Sequence, residues 1–318
     1  MPLSLAEYAD VLDERRLIWP KVPAPTPIQA TPSIRPLPGI RAVLWDVYGT
    51  LLRISEGRFT LLPAEEIRLQ IALDKTIHEF NMWNHMYRKP GPPWQSMIGI
   101  YRSTIERLQM KAASRGDFTE VNLVDVWLAL TEKLFEKNYV IDEDQYGDVE
   151  EFAEKVAYFF HCSLQGLEGR PGATAAMSEV AGRGLVQGLL ADAQPFTFVQ
   201  LLRELAQQGP LPPLYELFRS SALVLSTSCG VRKPSRGLFQ RAIEQLRGEG
   251  IQPAEILHVS CRLMTDLVPA KAAGMKTALL VAERSGLELS MDVLKAAETR
   301  PDRLLTGLEQ IGQVICGE

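Results

Sequence analysis

Cysteine and histidine are both scarce in this sequence of 318 residues, which contains four of each. The cysteines stand at positions 162, 229, 261 and 316 and lack the spacing of metal ligands. No two histidines have the spacing of a zinc site, although His78 and His85 could share one face of a helix. Histidine-based hydrolysis is therefore not expected. Few cysteines and the absence of a secretory leader predict a reducing, cytoplasmic location.

Long apolar runs and a strong excess of one charge are also lacking. No run approaches the ~20 apolar residues that a membrane helix needs. The 34 basic and 39 acidic residues are mixed along the chain and leave a formal net charge of -5. Neither nucleic acid nor an anionic membrane is therefore expected as a partner. The chain is long enough to bury a full core and to carry a second module.

Prolines, by contrast, are concentrated near the amino terminus. Residues 1–19 have helical periodicity, with Leu5, Tyr8 and Leu12 on one face. Seven prolines then fall between positions 20 and 38, which excludes regular helix and favours an extended connector. We predict an amino-terminal arm over residues 1–39 that acts as a plain tether. A docking ligand for an SH3-like partner is the alternative.

The most informative stretch is residues 41–52, RAVLWDVYGTLL. Residues 42–45 form a continuous apolar run, which is typical of a strand in a parallel sheet that is covered on both faces. Asp46 then lies at the carboxyl end of this strand, where open α/β sheets bind ligands. Gly49 permits a sharp turn, and Thr50 can offer its hydroxyl back to the carboxylate.

A region without strand alternation follows this turn. Amphipathic helices are predicted over residues 69–86, 94–111, 121–137 and 148–160. We interpret residues 57–168 as a helical module that is inserted after the first strand.

Strands return after this module, and polar residues follow several of them. Further strands are predicted over residues 185–191, 222–226, 255–260, 276–281 and 303–306. Lys233 follows the second of these strands and Asp266 the third. Because parallel strands share one carboxyl edge, we expect Asp46, Lys233 and Asp266 to converge there.

Three motifs in this order resemble those of the haloacid dehalogenase-like (HAD) hydrolases: D-V-Y-G-T at 46–50, G-V-R-K-P at 230–234, and Asp266 before A-A-G-M at 272–275. The resemblance implies a Rossmann-like α/β core over residues 40–56 and 169–318, with residues 57–168 as its cap. It also implies a small anionic substrate, Asp46 as covalent nucleophile, and Lys233 as the cation that neutralises it. Asp46, Asp266 and the carbonyl of Tyr48 would hold Mg²⁺ weakly, if they hold it at all.

The sequence departs from the family pattern at three places. Ala191 and Asp192 stand where the family has a hydroxyl residue that binds the transferring group; we interpret Asp192 as a cap for the next helix. Tyr48 stands where family phosphatases have their acid. Ser260 and Cys261 replace a glycine-aspartate pair, which depletes the metal site because a thiol is a poor ligand for Mg²⁺.

These departures leave three functions open. Tyr48 favours displacement of a group that leaves without a proton, as in the dehalogenase branch of the family, and we favour this interpretation. A Mg²⁺-dependent phosphomonoesterase is the second possibility, since the position of Asp266 resembles the phosphatase branch. A non-catalytic binding module is the third, although an aspartate and a lysine that lie together have little use there except as an ion pair.

Overall fold

The computed structural model describes residues 1–86, 90–112, 118–284 and 299–316. The chain divides into two compact units. The first comprises Met1–Val22, Thr60–Leu167 and Gln194–Gln200; the second comprises Pro23–Phe59, Glu168–Ala193 and Leu201–Glu318.

The second unit is built on a parallel six-stranded sheet. Its strands are β1 (Ala42–Trp45), β4 (Val186–Ala191), β5 (Leu223–Leu225), β6 (Ile256–Ser260), β7 (Lys276–Leu280) and β8 (Arg303–Leu305). Their order is β5-β4-β1-β6-β7-β8, and every neighbouring pair is parallel. All four residues of β1 are buried, as expected for a central strand that is covered on both faces. The predicted α/β fold with a Rossmann-like parallel sheet is therefore confirmed.

Short helices surround this sheet. They are α7 (Ala173–Gly182), α9 (Leu214–Leu217), α10 (Ser226–Cys229), α11 (Arg236–Arg247), α12 (Val268–Ala272) and α13 (Ile311–Val314), whereas α8 (Thr197–Ala206) begins in the first unit and ends in the second. Helix α11 packs Leu238, Phe239 and Leu246 into a core with Leu44 of β1 and Val224 of β5. Two further short strands, β2 (Leu52–Ile54) and β3 (Leu167–Gly169), pair with each other and were not predicted.

The first unit is helical in the part that the structure describes. Its helices are α1 (Leu5–Glu14), α2 (Glu66–Glu79), α3 (Pro93–Ala112), α4 (Leu123–Phe135), α5 (Glu143–Tyr146) and α6 (Val149–Leu164). Phe80 packs at its centre against the rings of Tyr8, Tyr146, Phe152 and Phe159. The helical insertion predicted after the first strand is thus present.

Residues 23–39 of the proline-rich segment belong to the second unit, and their backbone is hydrogen-bonded to its strands and helices. Ser33 forms an antiparallel bridge with Leu304 of β8, and the Leu37 amide donates to the Val314 carbonyl at 2.8 Å. These contacts fix the segment to the last strand and the last helix of the α/β unit. Among the described helices, none is both long and apolar enough to cross a bilayer.

Candidate active site

Asp46 is positioned by the central strand of the sheet. Its backbone N–H donates to the Val259 carbonyl on β6 at 3.0 Å, so the residue continues the ladder to the carboxyl edge. Gly49 makes the turn that follows, with a φ of +91°. A Cβ at this position would lie 2.7 Å from the Gly57 carbonyl oxygen and 2.8 Å from Cys261 Sγ. Only glycine therefore fits this turn without displacing its neighbours.

The two oxygens of the Asp46 carboxylate have different numbers of donors. Oδ1 accepts from Lys233 Nζ at 2.7 Å. Oδ2 accepts from Arg262 Nη1 at 2.9 Å and from the Thr50 hydroxyl at 3.1 Å, and it lies 3.5 Å from the Ser260 hydroxyl oxygen, whose proton is donated to Asp266. The Asp46 residue is buried, and among the described residues Oδ1 has one close donor and Oδ2 has two.

Lys233 joins the two carboxylates that the sequence places at this edge. Its ammonium contacts Asp46 Oδ1 and Asp266 Oδ2, and all three side chains are buried. Burial alone disfavours the ammonium, but the charges of Asp266 and Asp46 outweigh it and raise the pKa of Lys233 above its ordinary value. Lys233 is therefore a fixed cation and not the solvated surface lysine that a helix start often carries.

Asp266 lies in a single π-helical turn, Leu263–Leu267, that follows β6. Its Oδ2 accepts from the Ser260 hydroxyl at 2.8 Å, and its Oδ1 accepts from the Thr265 hydroxyl at 2.8 Å. Burial opposes ionisation of Asp266, but the Lys233 ammonium prevails and lowers the pKa of the carboxyl well below its usual range. Asp266 is therefore an ionised partner of Lys233.

Arg262 is a member of the site that the motif comparison missed. Besides Asp46, it contacts the carbonyl oxygens of Tyr48 and Gly57 through Nη2, at 2.8 and 3.0 Å. Its pKa is raised because the Asp46 carboxylate outweighs the burial that opposes the charge. The sequence does contain a signal for this residue. Arg262 is a basic residue two positions after the end of β6, and it directly follows Cys261, which stands where the family has an aspartate.

Strand β4 ends at Ala191 and Asp192 follows it, but the interpretation of Asp192 as a helix cap is wrong. Helix α8 begins only at Thr197, and Asp192 Oδ1 instead accepts the backbone N–H of Lys233 at 2.8 Å. Burial, with help from the nearby Asp266 carboxylate, raises the pKa of Asp192 to about 6 although Lys233 opposes the shift. Asp192 therefore positions the backbone that carries Lys233.

Tyr48 contributes its backbone carbonyl to the site, and its ring packs against Phe59. The ring is buried and lies 5.5 Å from that of Phe59, tilted by 30°. The carbonyl oxygen accepts from Arg262, as described above.

The residues at this edge do not fit Mg²⁺. Two of the oxygens predicted to hold the ion, Asp46 Oδ2 and the Tyr48 carbonyl, are bonded to the Arg262 guanidinium. The third ligand, Asp266, is bonded through both oxygens to Lys233, Ser260 and Thr265. Within the described ranges, no group of three or more His, Cys, Asp or Glu side chains is arranged to hold a metal.

A second buried ion cluster holds the turn that follows Asp46. The Arg170 guanidinium donates to the Thr50 and Gly49 carbonyls at 2.8 and 2.6 Å and to Glu283 Oε1 at 2.8 Å. Glu283 also accepts from Arg53 at 3.0 and 2.7 Å. We call Arg53, Arg170 and Glu283 the turn clamp. It fixes the backbone between Asp46 and β2.

One family of known proteins matches most of the chain. The model of the family described as haloacid dehalogenase-like hydrolase matches residues 40–274, about three quarters of the sequence. No curated protein matches at a significant level.

Many solved structures are similar to this chain. A 2-haloacid dehalogenase from Pseudomonas syringae pv. Tomato is 16% identical, with a TM-score of 0.52, over 87% of this chain and 98% of that one. An L-2-haloacid dehalogenase from Xanthobacter autotrophicus is 22% identical, with a TM-score of 0.42, over 86% and 97%. The protein YfnB from Bacillus subtilis, bound to magnesium, is 18% identical, with a TM-score of 0.44, over 87% and 98%.

Proposed function

Because this chain belongs to the haloacid dehalogenase-like hydrolases, we propose that it hydrolyses small organic acids whose leaving group departs as an anion, with Asp46 as the covalent nucleophile. A carbon–halogen bond next to a carboxylate is the bond that suits this site best. The proposal rests on the environment of the Asp46 carboxylate, on the charge balance of the site, and on the residue at position 48.

The uneven environment of Asp46 is the observation that carries the proposal. Two donors, Arg262 and Thr50, lie within 3.1 Å of Oδ2, and each hydrogen bond withdraws electron density from that oxygen. Oδ1 has Lys233 as its one donor in the described part of the chain. Oδ1 is thus the better nucleophile, and Lys233 lies where it can neutralise the charge of an arriving anion.

The balance of charges supports a monoanionic substrate. Lys233 and Arg262 are cations; Lys233 is already paired with Asp46 and Asp266, and Arg262 with Asp46. These four groups sum to zero, so they hold no surplus positive charge for the dianion of a phosphate monoester. A carboxylate substrate carries one negative charge and therefore needs less positive charge from the site than a dianion does.

The residue at position 48 supports a leaving group that needs no proton. Displacement of an alkoxide is assisted by a matched acid, whose loss typically removes ~10²- to 10⁴-fold of rate. Position 48 carries a phenol, which is a much weaker acid than a carboxyl group, and its ring is packed on Phe59. A halide departs as a stable anion and needs no such acid.

The proposed reaction has two steps that balance. In the first, Asp46 Oδ1 forms a bond to the substrate carbon, and the halide leaves with the electron pair of the carbon–halogen bond. In the second, water adds to the Asp46 carboxyl carbon and expels the hydroxy acid, which restores the carboxylate and releases one proton. Lys233 stabilises the negative charge that develops on the Asp46 oxygens in the second step.

A panel of 2-haloacids and phosphomonoesters tests the proposal, with halide and phosphate release measured in EDTA and in Mg²⁺. We expect halide release in EDTA from the wild type and none from Asp46→Asn. A single turnover in ¹⁸O-water should place the label in Asp46 and not in the product. Phosphate release that requires Mg²⁺ would favour the phosphomonoesterase instead, and folded protein without turnover on either class would favour a binding module.

A further inference from the structure

Arg262 lies where the predicted metal ligands converge. Its Nη1 and Nη2 atoms reach Asp46 Oδ2 at 2.9 Å and the Tyr48 carbonyl at 2.8 Å. From these contacts we infer that the Arg262 guanidinium is a built-in cation that replaces a divalent metal in this protein and excludes it from the site. The inference rests on the proposed function only in taking Asp46 as the nucleophile.

Three oxygen atoms hold the guanidinium in place. A third oxygen, the carbonyl of Gly57, accepts from Nη2 at 3.0 Å, so the fork is fixed by one carboxylate and two backbone oxygens. The side chain is largely buried, with 13% of its surface exposed. A planar cation with several donors suits such a set of oxygens, and an arginine at this depth keeps its charge.

The residues around Arg262 suit a guanidinium better than they suit Mg²⁺, both in ligand type and in charge. Mg²⁺ requires near-octahedral oxygen ligands, usually including carboxylates, but position 261 carries a cysteine whose backbone N–H is bonded to the Thr50 hydroxyl at 3.1 Å. The carboxylates of Asp46 and Asp266 are already balanced by Lys233 and Arg262. A divalent ion added to these four groups would leave two uncompensated positive charges in a buried site.

The built-in cation also has a consequence for the nucleophile. By bonding Oδ2, Arg262 fixes the rotation of the Asp46 carboxylate and leaves Oδ1 with fewer donors. Arg262 therefore acts as a positioning residue that selects the attacking oxygen and also supplies fixed positive charge. Lysine at this position would keep the charge but could not bridge Asp46, Tyr48 and Gly57 with a planar fork.

Binding of Mn²⁺, followed by electron paramagnetic resonance, tests the inference without any turnover. We expect no stoichiometric Mn²⁺ binding to the wild type up to ~1 mM. The double variant Cys261→Asp/Arg262→Ala should bind one Mn²⁺, because it uncovers the Asp46 and Tyr48 oxygens and adds a carboxylate. The same ion should be lost again when Asp266→Asn is added. Arg183→Ala, which removes an arginine paired with Glu179 on α7, is the matched control and should behave as the wild type does.

Two results would overturn the inference. One is a wild-type protein that binds a single Mn²⁺ and loses it in Asp266→Asn. The other is a folded double variant, verified by circular dichroism, that still excludes the ion. Should the double variant not fold, the wild-type titration decides alone, since binding of one ion there contradicts the inference and its absence supports it.

Activity provides a separate readout. With a substrate found in the panel above, Mg²⁺ should leave wild-type turnover unchanged, and Arg262→Lys should lower kcat by about 10²-fold. Failure of all turnover would remove the proposed hydrolase but would leave the Mn²⁺ result interpretable, so the two proposals fail independently.

Discussion

Two buried ion clusters lie in the α/β unit, and they use similar charges for different ends. The site cluster combines Asp46 and Asp266 with Lys233 and Arg262. The turn clamp combines Glu283 with Arg53 and Arg170, and Arg53 also contacts Glu168. The site cluster has two buried acids and two bases, whereas the clamp has one buried acid and two bases, with the half-exposed Glu168 as a further acid beside it.

The clusters differ in what their cations bind. In the clamp, both oxygens of Glu283 accept guanidinium N–H groups, and the same guanidiniums also bind the carbonyls of Gly49, Thr50 and Pro23. The clamp therefore holds backbone. In the site cluster, the Lys233 ammonium contacts the carboxylates of Asp46 and Asp266 instead. The site cluster thus places a buried cation between two buried carboxylates.

The largest expected effect separates the two clusters by activity. Asp46→Asn should lower kcat by about 10⁴-fold or more, because it removes the nucleophile while keeping a side chain of the same shape. Steady-state halide release measures the loss, with circular dichroism to verify folding. A variant that retained a tenth of the wild-type rate would show that Asp46 does not form the covalent bond.

The next effect separates the clusters by stability. Glu283→Gln should lower the free energy of unfolding by about 3–5 kcal/mol, because it leaves two buried arginines without their shared carboxylate. Urea denaturation measures this change. Glu179→Gln, which removes an exposed partner of Arg183, is the control and should cost less than about 1 kcal/mol. Equal losses in the two variants would contradict a structural role for the clamp.

Thr50 links the two clusters, and its removal should have a smaller effect. Its hydroxyl donates to Asp46 Oδ2 and accepts from the Cys261 N–H, while its carbonyl accepts from Arg170. Thr50→Val keeps the shape and the carbonyl but loses the hydroxyl. This loss should lower the free energy of unfolding, or the transition-state stabilisation calculated from kcat/KM, by about 1–2 kcal/mol. Thr50→Ser should restore most of the loss. If serine and valine behaved alike, the hydroxyl would have no part in holding the carboxylate.

The smallest effect concerns pH. The pKa of Asp192 is raised to about 6 in the folded protein, against 3.8 for an ordinary aspartate. The contribution of Asp192 to stability is therefore present below about pH 4 and is lost as the pH rises through 6. Relative to Asp192→Asn, the wild type should become less stable between pH 4 and pH 7, measured by urea denaturation at each pH. A difference that grows in the opposite direction would show that the folded state favours the ionised form.

The strands could be predicted closely because each is a short apolar run followed by a turn. The bounds predicted for β1 are those observed, and β4, β6 and β7 differ by one residue at one end. The contacts that fix the proline-rich segment to the α/β unit could not be predicted in this way. It depends on backbone partners near residues 304 and 314, about 270 positions away, and composition carries no information about such pairing.

The sequence by itself determined the strands, because each is a local apolar run, and the motifs that resemble the family placed Asp46, Lys233 and Asp266 at one edge of a parallel sheet. Only the tertiary structure decided what surrounds them. Arg262 contacts Asp46, which lies 216 positions earlier in the sequence, because the turn after β6 directs the arginine side chain toward β1. Asp192 accepts a hydrogen bond from the Lys233 backbone and does not cap helix α8. The direction of a side chain depends on the packing of distant elements, which no local pattern encodes.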